Sequence, residues 1–166
     1  MILGLPASTY TLIHVVLSLV GIASGLVVLA GLIGAKRLPG WTVLFLATTI
    51  LTSVTGFGFP SDKLLPSHIV GIISLVVLAI ALLALYVFHL AGHWRWIYAA
   101  SAVIALYLNA FVGVVQAFQK VSPLHALAPT QSEPPFAIAQ LVVLAIFIAL
   151  GILAAIKFRP ATMRFS

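Results

Sequence analysis

The sequence predicts an all-α protein: a polytopic integral membrane helical bundle of five transmembrane helices, with the N-terminus outside and the C-terminus in the cytoplasm. Three observations predict it. Of 166 residues, 63% are hydrophobic and only 6% are charged, against roughly 25% charged in a soluble domain. Too few polar groups remain to cover a water-facing surface, so lipid must be the solvent for most of it. The apolar residues fall in long runs, and a helix needs about 20 of them to cross the hydrocarbon core. The charges sit in short clusters at the ends of those runs, which is the pattern of topology signals.

The runs place helices at about 10–35, 41–57, 66–90, 96–118 and 135–156, within one transmembrane domain of residues 1–166. The first could be read as a signal peptide, but no basic residue precedes it and its apolar stretch far exceeds the roughly 7–15 residues of a signal core. The second is short and ends at Phe57-Gly58-Phe59-Pro60. The third opens on Pro66, a residue suited to a first helical turn, and the fifth follows Pro134-Pro135. A closed β-barrel would also satisfy every backbone group in lipid, but runs of this length without period-two alternation exclude it. Dropping the second run would leave four spans and spoil the charge bias described next.

That bias sets the direction. Lys36, Arg37, Arg95, Lys157, Arg159 and Arg164 share one side with no acid, while Asp62, Lys63, Lys120 and Glu133 share the other. Basic residues in short loops stay on the cytoplasmic side. Trp41, Trp94, Trp96 and Tyr98 sit at that same interface. The formal charge of +6 is therefore a topology signal rather than a nucleic-acid patch, and no nucleic-acid partner is expected. The absence of cysteine excludes thiolate metal sites, iron–sulfur clusters and thiol relays.

Packing is expected along small-residue faces. In the first helix His14, Ser18, Gly21 and Gly25 share a face, with Gly21 and Gly25 forming a GxxxG pattern. The fourth carries a stripe of Tyr98, Ala102, Ala105, Asn109, Gly113, Gln116 and Lys120. The second presents Thr48, Thr52 and Thr55 on one face with Thr49 and Ser53 beside it, hydroxyls that ordinarily bond back to the preceding turn.

The polar chemistry collects in one layer. At about 1.5 Å per residue, His14, His68, Gln116, Gln119 and Gln140 fall within roughly 10 Å of depth near the outer ends of four helices. The outer loop 120–135 adds His125, Gln131 and Glu133, and Asp62 lies before the third helix. Asn109 is deeper, near mid-membrane. Four prolines stiffen the 120–135 loop, which is expected to fold back as a lid over the bundle's mouth. The expected ligand-binding set is His14, His68, Asn109, Gln116, His125, Gln140 and Glu133.

Thr55-Gly56-Phe57-Gly58-Phe59-Pro60, Pro66-Ser67-His68-Ile69-Val70-Gly71 and the segment from Leu124 to Pro135 resemble those of small multi-pass inner-membrane proteins of proteobacteria. That group has no assigned activity, so the resemblance implies a bacterial inner membrane and brings over no site residue.

Four functions follow from these residues. The first is a ligand or metal site: His14, His68 and His125 could hold a divalent metal, or two histidines on different helices could hold haem b, with Asp62 or Glu133 orienting a ring. His89 and His93 are four apart but sit at the cytoplasmic interface, where a headgroup role suits them better. The second is transport along Thr48, Thr52, Tyr107, Asn109 and Gln116, opposed by the lack of any carboxylate within a span and of an inverted repeat. The third is an enzyme, opposed by the lack of a nucleophile motif or paired acids. The fourth is an accessory subunit, in a homo-oligomer or a larger membrane complex. The reading adopted is a non-enzymatic bundle with an outer-leaflet, histidine-containing pocket for a small ligand or metal; a haem b or quinone redox protein is the alternative.

Overall fold

Proline opens three of the long helices, at positions where its missing amide hydrogen would have had no partner. Pro39 starts α2 (Pro39–Gly56), Pro66 starts α3 (Pro66–Leu82) and Pro134 starts α6 (Pro134–Lys157). α1 (Ala7–Ile33) follows Pro6, and α4 (Trp94–Lys120) is capped by His93. A short α5 (Ser122–Leu127) joins α4 to α6. The computed structural model describes residues 1–158. Arg159 and Arg164, counted above among the basic residues, lie outside the described residues. Those described are all-helical, and they contain no strand beyond an isolated bridge between Ile2 and Leu5.

Among the described residues, four helices are long and apolar enough to cross a membrane: α1, α3 with its continuation to Val87, α4 and α6. α2 is not among them, because its 18 residues include five threonines and a serine. It nevertheless runs antiparallel to α1 along its whole length. The Tyr10 hydroxyl donates to the Thr55 carbonyl at 2.7 Å, Gly25 lies against Phe45, and Gly31 lies against Leu38. α2 also meets α3 in opposite sense, through Ser53–Ser74 and Phe57–Gly71. α4 pairs likewise with α6, where Val103 covers Gly151 and Gln140 donates to the Phe111 carbonyl.

The third run departs from the expected 66–90. Its α-helix ends at Leu82 and gives way to a π-helical turn, Leu83–Val87. The Phe88 amide reaches back to the Leu83 carbonyl and the Leu90 amide to that of Ala84. His89, Leu90 and Gly92 then take positive φ, so the chain reverses before α4. This wide turn places Phe88 flat on Trp94, ring centroids 4.1 Å apart.

The core sits toward this turn. Phe45, Leu78 and Leu106 are almost wholly enclosed, and Ala81, Ala84, Ala99 and Ala105 let α3 and α4 approach closely. The expected GxxxG face likewise admits a close neighbour: a Cβ at Gly25 would sit 2.5 Å from Leu106 and 2.9 Å from Phe45. α6 buries little of itself, and Ile138, Leu141, Val142, Ile146, Ile152 and Ile156 point outward. An apolar surface of this size has no place in water but suits lipid.

Charge divides the two ends. Lys36, Arg37, Arg95 and Lys157 lie at one, here the basic end. Asp62, Lys63, Lys120 and Glu133 lie at the other, the mixed-charge end.

Candidate functional site

Between α1, the start of α3 and the second half of α4, the mixed-charge end opens into a cavity of about 560 Å³. Its wall is mostly apolar, with Val15, Ile22 and Val112 among its residues. The polar groups it presents are Thr11, His14, Ser18, Ser67, His68, Gln116 and Lys120. Below it lies a polar annex of about 70 Å³, lined by Thr49, Thr52, Ser53, Ser74 and Asn109 and sharing His14, Gly56, Ser67 and Val112 with the cavity. That annex has room for one or two waters. Deeper still, Phe45, Leu78 and Leu106 close the bundle.

The neighbours of the two cavity histidines favour opposite tautomers. His14 Nδ1 lies 2.8 Å from the Thr55 hydroxyl, whose own hydrogen goes to the Leu51 carbonyl at 2.7 Å. A carbonyl and a hydroxyl oxygen cannot approach that closely without the hydrogen between them. Nδ1–H of His14 is therefore the donor, which leaves Nε2 as an acceptor. No group among the described residues bonds it, and it is not among the side-chain atoms sealed from solvent. His68 is the reverse. Its Nδ1 accepts the Leu65 amide at 3.2 Å, so Nε2 carries the hydrogen, and that atom is sealed in the protein with no partner. His68 also stacks on Phe57, ring centroids 5.5 Å apart.

Phe59 closes the rim edge-on to both Tyr10 and His14, each at 5.2 Å. The turn that delivers it depends on Gly58, where a Cβ would collide with the Tyr10 hydroxyl. The loop between α2 and α3 thus forms the cover of the site. The lid expected of 120–135 does fold back, but along α4 itself. Ala128 is fully buried, Gln131 donates to the Val115 carbonyl, and His125 Nδ1 lies 3.3 Å from the Phe118 carbonyl. Only Lys120 and Val121 of that segment reach the cavity.

Of the seven expected ligand-binding residues, His14, His68 and Gln116 line the cavity and Asn109 lies in the annex. Asn109 grips α1 through both ends of its amide, accepting from the Ser18 hydroxyl at 2.9 Å and donating to the Ser18 carbonyl at 3.3 Å. Gly21 permits this approach, since a Cβ there would meet the Asn109 amide nitrogen at 2.9 Å. The other three lie elsewhere. Gln140 ties α6 to α4. His125 is exposed on α5. Glu133 folds onto its own turn, accepting from the Thr130 hydroxyl and amide and from the Ser132 amide. The Thr130 hydroxyl, first of these, holds its carboxyl below the usual glutamate range.

The expected metal set of His14, His68 and His125 is therefore not assembled, and among the described residues no three His, Asp or Glu side chains come together to hold a metal ion. An imidazole that ligates haem through Nε2 carries its hydrogen on Nδ1, so His68 as a haem ligand would give up the bond its Nδ1 accepts from the Leu65 amide. Tyr107, expected on a polar path, instead faces Phe147 of α6. Thr11, Ser18, Ser67 and Lys120 were not expected as site residues. The α4 stripe that ends Gly113, Gln116, Lys120 was the available sign for the last of these.

No protein-family model matches this chain, and neither a curated protein nor a solved structure matches it.

Proposed function

We propose that this chain is a five-span inner-membrane protein that binds a small amphipathic molecule, carrying a hydroxyl or amide N–H donor, in the cavity at its mixed-charge end. One observation carries the reading: the 560 Å³ cavity has apolar walls and an unpaired acceptor, His14 Nε2, fixed by Thr55. Sites for small molecules are concave and mostly apolar, with a few placed polar groups. The donor of the ligand would meet His14, while Gln116 and Lys120 at the wall would take its acceptor oxygens. A quinol meets this description, which keeps the redox alternative in a form without haem.

Five spans with the mixed-charge end outside is the arrangement that the charge distribution favours. Lys36, Arg37, Arg95 and Lys157 share one end, and basic residues are retained on the cytoplasmic side. α2, though short, lies along α1 for its full length and buries Phe45 and Leu46, so it crosses in the shelter of its neighbours. Permeation is disfavoured in this conformation by the enclosed Phe45–Leu78–Leu106 layer.

The test is native mass spectrometry of the full chain extracted from its own membranes. The wild type should carry a small-molecule adduct at one per chain. Gly113→Leu should lose it by filling the cavity, since a Cβ at Gly113 meets only Ile22, at an ordinary 3.5 Å. His14→Phe should weaken it about tenfold, as expected for one lost hydrogen bond to a buried partner. An adduct retained in both variants, or none in the wild type after extraction in a mild detergent, counts against the proposal.

A further inference from the structure

The basic end holds a second polar recess, independent of the cavity. About 50 Å³ in volume, it lies among the end of α1, the start of α2, the π turn and the start of α4. Lys36, Arg37, Thr42, Tyr86 and Tyr98 contribute its polar wall. We propose that this recess binds a phosphate group, that of an anionic phospholipid headgroup.

Charge is the first argument. The chain has only two acidic side chains, Asp62 and Glu133, and both lie at the opposite end of the bundle. Lys36 and Arg37 thus have no side-chain carboxylate to neutralise them, at a membrane level where anionic headgroups are the abundant counter-charge.

The second argument is the hydroxyls. Thr48, Thr52 and Thr55 spend theirs on the carbonyl four residues back, at 2.6–2.7 Å. Thr42 makes no such bond, although it is 7% exposed. Tyr98, 3% exposed, has its ring against Phe158 and its hydroxyl toward Thr42. Neither hydroxyl bonds a backbone group among the described residues, so one hydrogen of this hydroxyl pair remains to meet a ligand oxygen.

The third argument is that the competing acceptors at the end of α1 are already closed. The end of α1 is sealed by the amides of Gly34, Ala35 and Lys36, which bond the carbonyls of Ala30, Leu32 and Gly31. In the π turn the Phe88 and Leu90 amides bond the Leu83 and Ala84 carbonyls. The first turn of α2 has no side-chain cap, so its field at this level is positive. Lys36, Arg37 and the hydroxyls of Thr42, Tyr86 and Tyr98 make the recess rich in donors, which suits an anion. Around it, Leu83 and Val87 of the π turn and Trp41 stand exposed, and apolar surface beside a phosphate site is what the acyl chains of a lipid require. The π turn has a part in this: it carries Tyr86 to the recess wall, and such turns often mark functional positions.

The experiment uses the full chain in detergent and reads thermal unfolding by intrinsic fluorescence during titration with dihexanoyl-phosphatidylglycerol. A saturable rise in Tm is expected, absent with octyl glucoside, which has no phosphate. Lys36→Gln/Arg37→Gln should weaken the response about tenfold, equivalent to one charge-assisted contact. Thr42→Val, close in shape to the native residue, should weaken it severalfold, and it decides the matter if the double variant does not fold. Lys63→Gln, at the other end, should leave it unchanged. An equal rise with octyl glucoside, or an unaltered response in Thr42→Val and the double variant alike, overturns the site. A saturable rise with inorganic phosphate alone overturns the lipid assignment and makes free phosphate the ligand.

Discussion

The same helices build two unlike halves. Toward the basic end, α1, α2, α3 and α4 pack shut around Phe45, Leu78 and Leu106. Toward the mixed-charge end they stand apart around a cavity of about 560 Å³. Both halves contain glycine on α1 or α4, so small residues alone do not decide closure. What differs is the group opposite. Gly25 receives Leu106 and Phe45, whereas Gly113 has only the tip of Ile22 at 3.5 Å. Without a hydrophobic drive between helices in lipid, van der Waals fit governs association, and a glycine closes a gap only where a neighbour fills it. In the open half, contact between helices is made through hydrogen bonds: Tyr10 and His14 to Thr55, and Ser18 to Asn109.

Substituting the two glycines puts that difference to the proof. Gly25→Val should destabilise the bundle by about 3 kcal/mol, the upper range for overpacking a close contact, read by reversible unfolding in mixed micelles. Gly113→Ala should stay within about 0.5 kcal/mol, because its new methyl enters ordinary contact. Similar costs at both positions would mean that the halves do not differ in packing.

A smaller effect is expected at the polar struts of the open half. Asn109→Leu should cost about 1 kcal/mol, typical of an interhelical polar contact in membranes. Combined with Ser18→Ala in a double-mutant cycle, it should show a coupling of similar size. Additive effects would show that the amide spans no real contact.

Much of this arrangement was legible in the residues. Apolar runs and prolines located the ends of the long helices to within about three positions, except that the third α-helix stops at Leu82 rather than near 90, and the spacing of Gly21, Gly25, Asn109 and Gly113 marked faces that look into the bundle. The cavity's depth layer was legible too, since His14, His68 and Gln116 were expected together. What escaped was direction about a helix axis and the path of loops. Gln140 lies at the right depth but on the side of α6 that meets α4. His125 and Glu133 belong to a loop whose local bonds, to Phe118 and Thr130, draw it along α4. Composition does not encode that choice. The π turn at Leu83–Val87 left no mark in an unbroken apolar run.

On the proposed topology the cavity opens to the outside and is closed at mid-membrane, so accessibility reads it out. The chain has no native cysteine, so single cysteines report cleanly. Ser67→Cys, at the cavity wall, should react with a membrane-impermeant maleimide applied from outside intact cells, while Leu78→Cys should resist it from either face. Labelling of Ser67→Cys only from the cytoplasmic face, or of Leu78→Cys as fast as Ser67→Cys, would contradict that arrangement.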